Sequence, residues 1–300
     1  MTGAGDPATI PGVHCPICGS PSDPVARPHP YVYARCRDCG AYFVDPMPSP
    51  DQVAGSHYDE VYYASAEPRP DEDAWNRGAR RAARHRLGWI EQAAGAKGRF
   101  LDVGTGTGFQ LAAARDAGWE VEGVDVSARA VAFARDTLGV PVRLGTLEQA
   151  GFADETFDAV SLTHVLEHVP DPVGLLTEVA RILRPNGVAA IAVPNSRALV
   201  NAAYNLVHRA RGRYRRDKFA CGLWPPDHVI GFDARSLREV IVRSALRPLE
   251  LVVTGKGDPD RYPMASWGRG TRALERPLEW IGRVVGRGSI LESLSARGAS

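Results

Sequence analysis

The chain's most informative stretch is Arg99-Phe-Leu-Asp-Val-Gly-Thr-Gly-Thr-Gly108, a short apolar run that ends in a glycine loop. Glycines at alternate positions let the backbone approach a ligand and turn sharply into a helix. The dinucleotide-binding fingerprint would place glycine or alanine where Phe109 stands, and a pyrophosphate gains nothing from a carboxylate at Asp102. A ligand with an ammonium or sulfonium group does gain from it, so the loop predicts a cationic small-molecule ligand.

Predicted strands and helices alternate after this loop. Ser127 caps a predicted helix that runs to Leu138, and Asp171-Pro172 opens a helix to Leu183 that Asn186-Gly187 ends. The other predicted elements are strands at 99–103, 119–124, 140–144, 157–162, 188–193, 246–253 and 289–296, and helices at 73–94, 109–117, 233–244 and 270–285, the last with Pro277 as a candidate break. This alternation predicts a parallel, doubly wound α/β sheet, whose ligands bind at the carboxyl ends of the strands.

Four cysteines form a second motif near the N-terminus. Cys15 and Cys18 make one C-x2-C pair, and Cys36 and Cys39 make another. Two such turns supply the four thiolates of a tetrahedral structural zinc site, with no open position for catalysis. Two disulfides are the less favoured alternative for a chain expected in the cytoplasm, and the isolated Cys221 is expected to be a plain packed or exposed thiol.

Composition and charge narrow the functional classes. The 300 residues carry 36 Lys+Arg and 35 Asp+Glu, a net charge of +1, which argues against a dedicated nucleic-acid coat protein. Residues 1–12 lack the basic and apolar regions of a signal peptide, and the apolar run Val188–Val193 is too short to span a bilayer. A cytoplasmic location is therefore expected.

Asp125 ends the second predicted strand, 17 residues after Gly108. A carboxylate there can accept two hydrogen bonds from a ribose diol, and capping of the next helix is the alternative role. Asp125, the Asp102–Gly108 segment, Phe157-Asp-Ala-Val160 and His164-Val-Leu-Glu-His-Val169 together resemble the class I S-adenosylmethionine-dependent methyltransferases. This resemblance runs from about residue 98 to the C-terminus.

The N-terminal part resembles a subgroup in which a zinc ribbon precedes the methyltransferase domain. The resemblance rests on the four cysteines, the connector Val44-Asp-Pro…Pro50 and a tyrosine cluster at Tyr58, Tyr62 and Tyr63. It implies a Rossmann-like sheet of seven mostly parallel strands, with the last strand antiparallel. The implied organisation is a flexible tail at 1–13, a zinc ribbon at 14–45, a connector and helix at 46–97, and a methyltransferase domain at 98–300 with a substrate-loop insertion near 196–232.

The resemblance also implies cofactor roles for named residues. Asp102 lies near the amino group of S-adenosylmethionine, Asp125 holds the ribose hydroxyls, and Val126 packs beside the adenine. Many relatives have an acid at the adenine edge, where this chain has Thr146. The remaining implied contacts are Gly104, Thr105, Gly106 and Gly108 along the methionine part, Thr146 and Leu147 at the adenine edge, and Thr163 with His164 near the methyl group.

Three histidines are candidates for the catalytic base. His164, Glu167 and His168 are spaced i, i+3 and i+4, so a helical segment would put them on one face. A structural role, a base at His164 or His168, and a divalent-metal site at His164, Glu167 and His168 are the three interpretations. His228 follows the stiff Pro225-Pro226 pair and is either a second candidate base or a residue that orients the next helix.

The predicted function is methyl transfer to a small molecule, most simply at an oxygen of a sugar, glycolipid or secondary metabolite. The segment 208–218 carries six Lys/Arg and one Asp, which is typical of a solvated face but also suits a phosphate-bearing acceptor. The predicted helix at 270–285 is apolar on one side and arginine-rich on the other, so packing on the sheet and peripheral contact with a membrane surface compete. A zinc-ribbon RNA methyltransferase and a non-catalytic cofactor-binding interaction protein are the alternatives.

Overall fold

The computed structural model describes residues 12–49, 52, 74–211, 221–223, 225–255 and 272–298. The predicted tail up to residue 11, the tyrosine cluster and most of the basic segment lie outside these residues. The N-terminal elements are β1 (Ser22–Ala26), β2 (Val32–Cys36), β3 (Tyr42–Asp45) and α1 (Ala74–Ala94). The first half of the main domain contains β4 (Arg99–Val103), α2 (Phe109–Asp116), β5 (Glu120–Asp125), α3 (Ala128–Leu138), β6 (Val142–Leu144), α4 (Leu147–Ala150) and β7 (Phe157–Thr163). The second half contains α5 (Pro172–Ile182), β8 (Leu183–Pro194), α6 (Leu199–Ala210), β9 (Ile230–Gly231), α7 (Ala234–Arg243), β10 (Leu246–Thr254), α8 (Arg272–Val284) and β11 (Ile290–Arg297).

The main sheet has seven strands in the order β10-β11-β8-β7-β4-β5-β6. Strands β4 to β8 pair in parallel, and β11 runs antiparallel between β8 and β10. The predicted doubly wound sheet and its antiparallel last strand are therefore confirmed. Because β4 lies at the centre, its glycine loop opens at the carboxyl edge where the strand order changes direction.

Helix caps confirm two predicted helix starts, and the sheet replaces one predicted helix terminator. Ser127 accepts a hydrogen bond from the Ala130 N–H, and Asp171 accepts one from the Gly174 N–H with Pro172 at the first helical position. The predicted helix to Leu183 agrees with α5 to within one residue, but the prediction that Asn186-Gly187 ends it is wrong. The helix stops at Ile182 because Leu183 is already extended and paired with Phe157 of β7, and β8 continues through both turn-type residues.

Two hydrophobic layers cover the sheet because its strands alternate between faces. Phe100 packs on one face with residues of α1, α2 and α3, and Leu101 packs on the other with residues of α5 and α7. Both side chains are fully buried, as expected for a central parallel strand. The second layer also contains side chains of the N-terminal ribbon, including Ile17, Tyr33 and Val44.

The N-terminal ribbon is joined to the main domain by a shared sheet. Strands β1, β2 and β3 are antiparallel neighbours, and β9 adds a fourth strand from the 196–232 segment. The Val44 N–H donates to the Val229 carbonyl at 3.1 Å, and the Val229 N–H donates to the Glu167 carbonyl at 2.8 Å. The ribbon therefore rests on the segment after β7. Within the described residues, no helix is both long and apolar enough to cross a membrane.

Candidate active site

The glycine loop is tied to the end of the neighbouring strand. The Gly104 and Thr105 N–H groups both donate to the Val124 carbonyl, at 2.9 and 3.1 Å. Gly104 and Gly108 have φ angles of 67° and 77°, which favour glycine. A Cβ on Gly104 would lie 2.5 Å from Val165 Cγ2. The backbone at Gly104 therefore fits against the segment after β7 only because it has no side chain.

Asp102 is buried near the carboxyl end of β4. Its side chain is 3% exposed. Burial raises the pKa of the Asp102 carboxyl to about 7, although a hydrogen bond with Ser161 and the charge of Arg86 oppose the rise. A ligand cation beside this carboxyl would favour its ionised form. Sequence reasoning missed Arg86 and Ser161, and the signal for Ser161 is a polar residue within an apolar strand.

Asp125 is held by two backbone groups at the end of β5. Its Oδ2 accepts a hydrogen bond from the Gly106 N–H at 2.7 Å, and its Oδ1 accepts one from the Ser127 N–H at 2.8 Å. The carboxylate is 7% exposed and lies directly against the glycine loop. Each oxygen has a further lone pair, so the group retains capacity to accept hydrogen bonds from a diol. The structure thus brings Asp102, the loop and Asp125 together.

The residues predicted near an adenine fall into different environments. Val126 is 40% exposed beside Asp125. Thr146 caps α4, where its hydroxyl accepts a hydrogen bond from the Gln149 N–H and the Gln149 side chain accepts one from the Thr146 N–H. Leu147 is 2% exposed and belongs to the hydrophobic core. Thr163 ends β7 beside the histidine cluster. The adenine contacts of Thr146 and Leu147 stay predictions, and the structure gives both residues packing or capping roles.

The first catalytic candidate, His164, pairs with a buried glutamate. His164 has a φ of 57°, an uncommon backbone conformation for a non-glycine residue and one found at functional sites. Its Nδ1 donates to Glu167 Oε1 at 3.1 Å, and its side chain is 34% exposed whereas that of Glu167 is 2% exposed. In the neutral ring this hydrogen bond places the lone pair on Nε2. The segment 166–168 is a single 3-10 turn, so the predicted helical face is replaced by this turn.

His168 and His228 approach the same glutamate from two parts of the chain. Their rings meet edge to face with centroids 4.7 Å apart. His168 Nδ1 donates to the Asp227 carbonyl at 2.8 Å, and His228 Nδ1 donates to the Gly222 carbonyl at 3.0 Å. With the proton on Nδ1, a neutral ring would carry its acceptor lone pair on Nε2. The sequence could not predict this approach, because about 60 residues separate the two histidines.

Burial and charge set the protonation of this cluster. Burial alone would raise the pKa of Glu167, but the hydrogen bond from His164 and the charges of the three histidines lower it to about 2. Burial lowers the pKa of His228, against the attraction of Glu167. Near neutral pH the cluster therefore contains an ionised Glu167 and a neutral His228. An ionised carboxylate that orients a histidine is the usual support for a histidine base.

The potential metal ligands in the structure differ from the predicted trio in one residue. Ligand atoms of Glu167, His168 and His228 lie within 4.8 Å of one another, whereas His164 is outside this set. Glu167 Oε2 is buried and has no hydrogen-bond partner among the described residues. Two imidazole nitrogens and a carboxylate form a donor set that suits a divalent transition metal.

The four N-terminal cysteines converge as predicted. Their sulfur atoms all lie within 4.8 Å of one another. The Cys15–Cys39 and Cys18–Cys36 Sγ distances are 3.6 and 3.4 Å, too long for the roughly 2.05 Å bond of a disulfide. The Ile17 and Cys39 N–H groups point at Cys15 Sγ and Cys36 Sγ, each at 3.4 Å. The cluster is compatible with a tetrahedral zinc ion. Cys221 is buried elsewhere, 1% exposed, as a plain packed thiol.

Comparison with known proteins points to one family. A family model described as a methyltransferase domain matches residues 101–191. The chain is 33% identical over 152 residues to the ubiquinone biosynthesis O-methyltransferase of Bordetella bronchiseptica, an alignment that covers 45% of this chain and 61% of that protein. It is 32% identical over 161 residues to the protein of the same name from Pseudomonas paraeruginosa, covering 47% of this chain and 68% of that protein. The chain thus spans less than two thirds of the Bordetella protein.

A solved structure agrees at the level of the fold. A SAM dependent methyltransferase from Archaeoglobus fulgidus aligns with a TM-score of 0.52 at 16% identity, over 73% of this chain and 95% of that chain. The matched family region runs from within β4 into β8 and includes the glycine loop, Asp125 and the His164–His168 segment. The N-terminal ribbon lies outside the matched family region.

Proposed function

Because the chain belongs to the class I S-adenosylmethionine-dependent methyltransferases, we propose that it methylates a hydroxyl group of a small molecule. The observation that carries the proposal is the convergence of Asp102, the glycine loop and Asp125 at the carboxyl edge of the sheet. The name of the curated relatives supports transfer to oxygen. A sugar, a glycolipid and a secondary metabolite are the acceptor types we propose.

The proposed cofactor site uses the charges described above. Asp102 would attract the ammonium group, the backbone at Gly104 and Gly106 would line the methionine part, and Asp125 would accept hydrogen bonds from the ribose diol. S-adenosylmethionine supplies a methyl group already activated on a sulfonium. The protein's main task is therefore to hold the acceptor oxygen in line and to accept its proton.

We assign the proton-accepting role to Nε2 of His164. Val165 contacts the backbone at Gly104, so His164 is the histidine adjacent to the glycine loop. Its side chain is 34% exposed, whereas that of His168 is 14% exposed. The ionised Glu167 stabilises the protonated imidazole. In this proposal, His168 and His228 hold Glu167 in place rather than touch the acceptor.

A divalent cation bound by Glu167, His168 and His228 is the alternative use of the cluster. The buried Glu167 Oε2 favours it, since an ionised oxygen is costly to bury without a partner. Such an ion would polarise the acceptor hydroxyl. Turnover that survives a chelator, in protein whose four-cysteine zinc is retained, would support the His164 base, and turnover restored only by added Mg²⁺, Mn²⁺ or Zn²⁺ would support the cation.

We also propose that Cys15, Cys18, Cys36 and Cys39 hold a structural zinc ion. Four thiolates fill the coordination sphere, so the ion would stabilise the ribbon and take no part in methyl transfer. The ribbon is linked to the Glu167 segment by backbone hydrogen bonds through Val229, so we expect loss of the ion to disturb the active site indirectly.

Calorimetric titration with S-adenosylmethionine tests the cofactor assignment. Micromolar binding by the wild type, weakened at least about tenfold in Asp125→Ala, is expected because the ribose loses two charge-assisted hydrogen bonds. Asp136→Ala is the matched control, since Asp136 is exposed on α3. Absence of binding by folded, zinc-loaded wild type would overturn the proposal and favour an interaction protein.

A second measurement tests methyl transfer itself. Formation of S-adenosylhomocysteine with a panel of hydroxyl acceptors should fall at least about a hundredfold in His164→Ala, while cofactor binding is retained. Added imidazole should restore part of the rate. Turnover only with RNA, with strongly salt-dependent binding, would instead support the RNA methyltransferase alternative.

A further inference from the structure

Exposed apolar side chains concentrate on two helices that pack against each other, α6 and α8. Eleven large hydrophobic side chains are exposed among the described residues, and seven of them lie on α6, on α8 or directly after α8. These seven, the apolar surface, are Tyr204, Leu206, Val207, Trp280, Ile281, Val284 and Val285. Scattered exposed apolar residues need no explanation, but such a concentration marks an interaction site.

Helix α8 is oriented opposite to an ordinary surface helix. Glu279 is 6% exposed, whereas its neighbour Trp280 is 66% exposed and Val284 is 70% exposed. A carboxylate oxygen of Glu279 lies close to Gly255 at the end of β10, so the acidic side chain faces the protein. An amphipathic helix normally buries its apolar side. Over residues 277–284, where its side chains are described, this helix exposes Trp280, Ile281 and Val284, which calls for a partner that covers them.

The apolar surface belongs to the same edge of the sheet as the glycine loop. The Leu199 N–H at the start of α6 donates to the Arg287 carbonyl just after α8, at 2.8 Å. The Asn195 N–H donates to the Ser289 carbonyl at 2.8 Å, where β8 ends and β11 begins. Both helices are therefore anchored at the carboxyl edge of the parallel strands, where the acceptor enters in the proposed function.

The charge around the apolar surface is positive. Helix α6 has no Asp or Glu in its sequence, and it leads into a segment where basic residues outnumber acidic ones. Arg209, Arg211 and Arg283 are exposed beside the apolar side chains. Trp280 and Tyr204 add aromatic rings of the kind that favour the interface between lipid and water. A second copy docked through the same surface would set arginine against arginine, which disfavours self-association.

We propose that α6 and α8 form a docking surface for an anionic lipid bilayer. The apolar side chains enter the boundary between headgroups and acyl chains, and the arginines contact lipid phosphates. The docked enzyme would present its acceptor site to molecules held in the membrane, a consequence that rests on the proposed function. Binding to the bilayer itself does not depend on methyl transfer.

Vesicle co-sedimentation of the full zinc-loaded chain tests the surface. The wild type should bind vesicles of phosphatidylcholine with phosphatidylglycerol, and binding should weaken with added salt and on vesicles of phosphatidylcholine alone. The double variant Trp280→Ser/Val284→Ser should lose at least about tenfold in affinity. Val242→Ser/Leu249→Ser is the matched control, because these positions are 57% and 44% exposed and lie outside the surface.

The outcomes separate the possible occupants. Reduced binding in the surface variant, with unchanged binding in the control and unchanged cofactor affinity in both, supports the proposal. No binding to anionic vesicles, or equal binding by all three proteins, overturns it. If the wild type is a dimer by light scattering and Trp280→Ser/Val284→Ser converts it to a monomer without changing vesicle binding, the surface is an interface between copies and the proposal fails.

Discussion

At the scale of single residues, the missing Cβ of Gly104 matters both for the packing of the fold and for the cofactor site. Gly104→Ala should weaken S-adenosylmethionine binding at least about tenfold and lower stability by about 1–3 kcal/mol, because its Cβ would strike Val165 and its φ is 67°. Gly95→Ala is the control, since its φ is 71° but nothing lies within 4 Å of its Cβ. Calorimetry and thermal unfolding give the two readouts. Equal cofactor affinity in both variants would contradict the close approach.

Removing the charge of the buried Asp102 should have opposite effects on the stability of the protein and on its binding of S-adenosylmethionine. The pKa of this carboxyl is about 7 in the folded protein and 3.8 ordinarily. Between pH 3.8 and pH 7 the folded state therefore binds more protons than the unfolded state, so the free energy of unfolding falls as the pH rises. Asp102→Asn should therefore be more stable than the wild type at pH 8, by up to about 4 kcal/mol, and nearly equal to it at about pH 4. The same variant should bind S-adenosylmethionine more weakly at pH 8. Unfolding at both pH values and calorimetry check this, with Asp136→Asn as the exposed control.

Residue-level prediction from sequence worked where one side chain has one local role. Asp102 and Asp125 were placed at strand ends by position alone, and the structure brings both to the glycine loop. Only part of the cluster of Glu167 with its three histidines could be predicted from the sequence. The His164–Glu167 pair follows from local spacing, but the contact between His168 and His228 depends on tertiary folding, which no local pattern encodes.

At the scale of elements, Pro277 lies inside α8 although proline has no backbone N–H to donate to the helical hydrogen bonds. The candidate break does not occur, because the helix runs without interruption from Arg272 to Val284. Pro277→Ala should restore one helical hydrogen bond and raise stability, by at most about 3 kcal/mol. Pro172→Ala should lower it, since Pro172 is buried at the first turn of α5, where no hydrogen bond is lost. Thermal unfolding of both variants checks the opposite signs, and a fall for Pro277→Ala would contradict this account.

Helices and strands with a periodic hydrophobic pattern or a capping residue can be predicted from the sequence. Elements whose bounds depend on pairing with a strand far away in the sequence cannot. Strands β4 and β7 and the caps at Ser127 and Asp171 follow from local sequence. The start of β8 was mispredicted, because pairing with β7 begins at Leu183 and overrides the turn preference of Asn186-Gly187. Strand β9 has two residues, too few for a periodic signal, and its partner β3 lies far away in the sequence.

At the scale of the whole molecule, the ribbon and the main domain should unfold together. Ile17, Tyr33 and Val44 share one hydrophobic cluster with the core of the large sheet. Cys36→Ser should therefore remove zinc and lower the Tm of the whole chain by at least about 5 °C in a single transition. Cys221→Ala should retain one zinc per chain by elemental analysis. Two separate transitions in the zinc-loaded wild type would show that the shared core does not couple them.

The pairing of β3 with β9 also has a consequence for biosynthesis. With the proposed zinc ion bound, the ribbon can form its local structure soon after it leaves the ribosome, yet the edge of β3 stays uncovered until residues 230–231 are made. At about 5–20 residues per second, that delay lasts from roughly ten seconds to more than half a minute. An open strand edge is a template for pairing with another chain. During this delay, the ribbons of neighbouring nascent chains on one messenger RNA can therefore pair with each other. Once β9 has been synthesised and pairs with β3, this edge is covered.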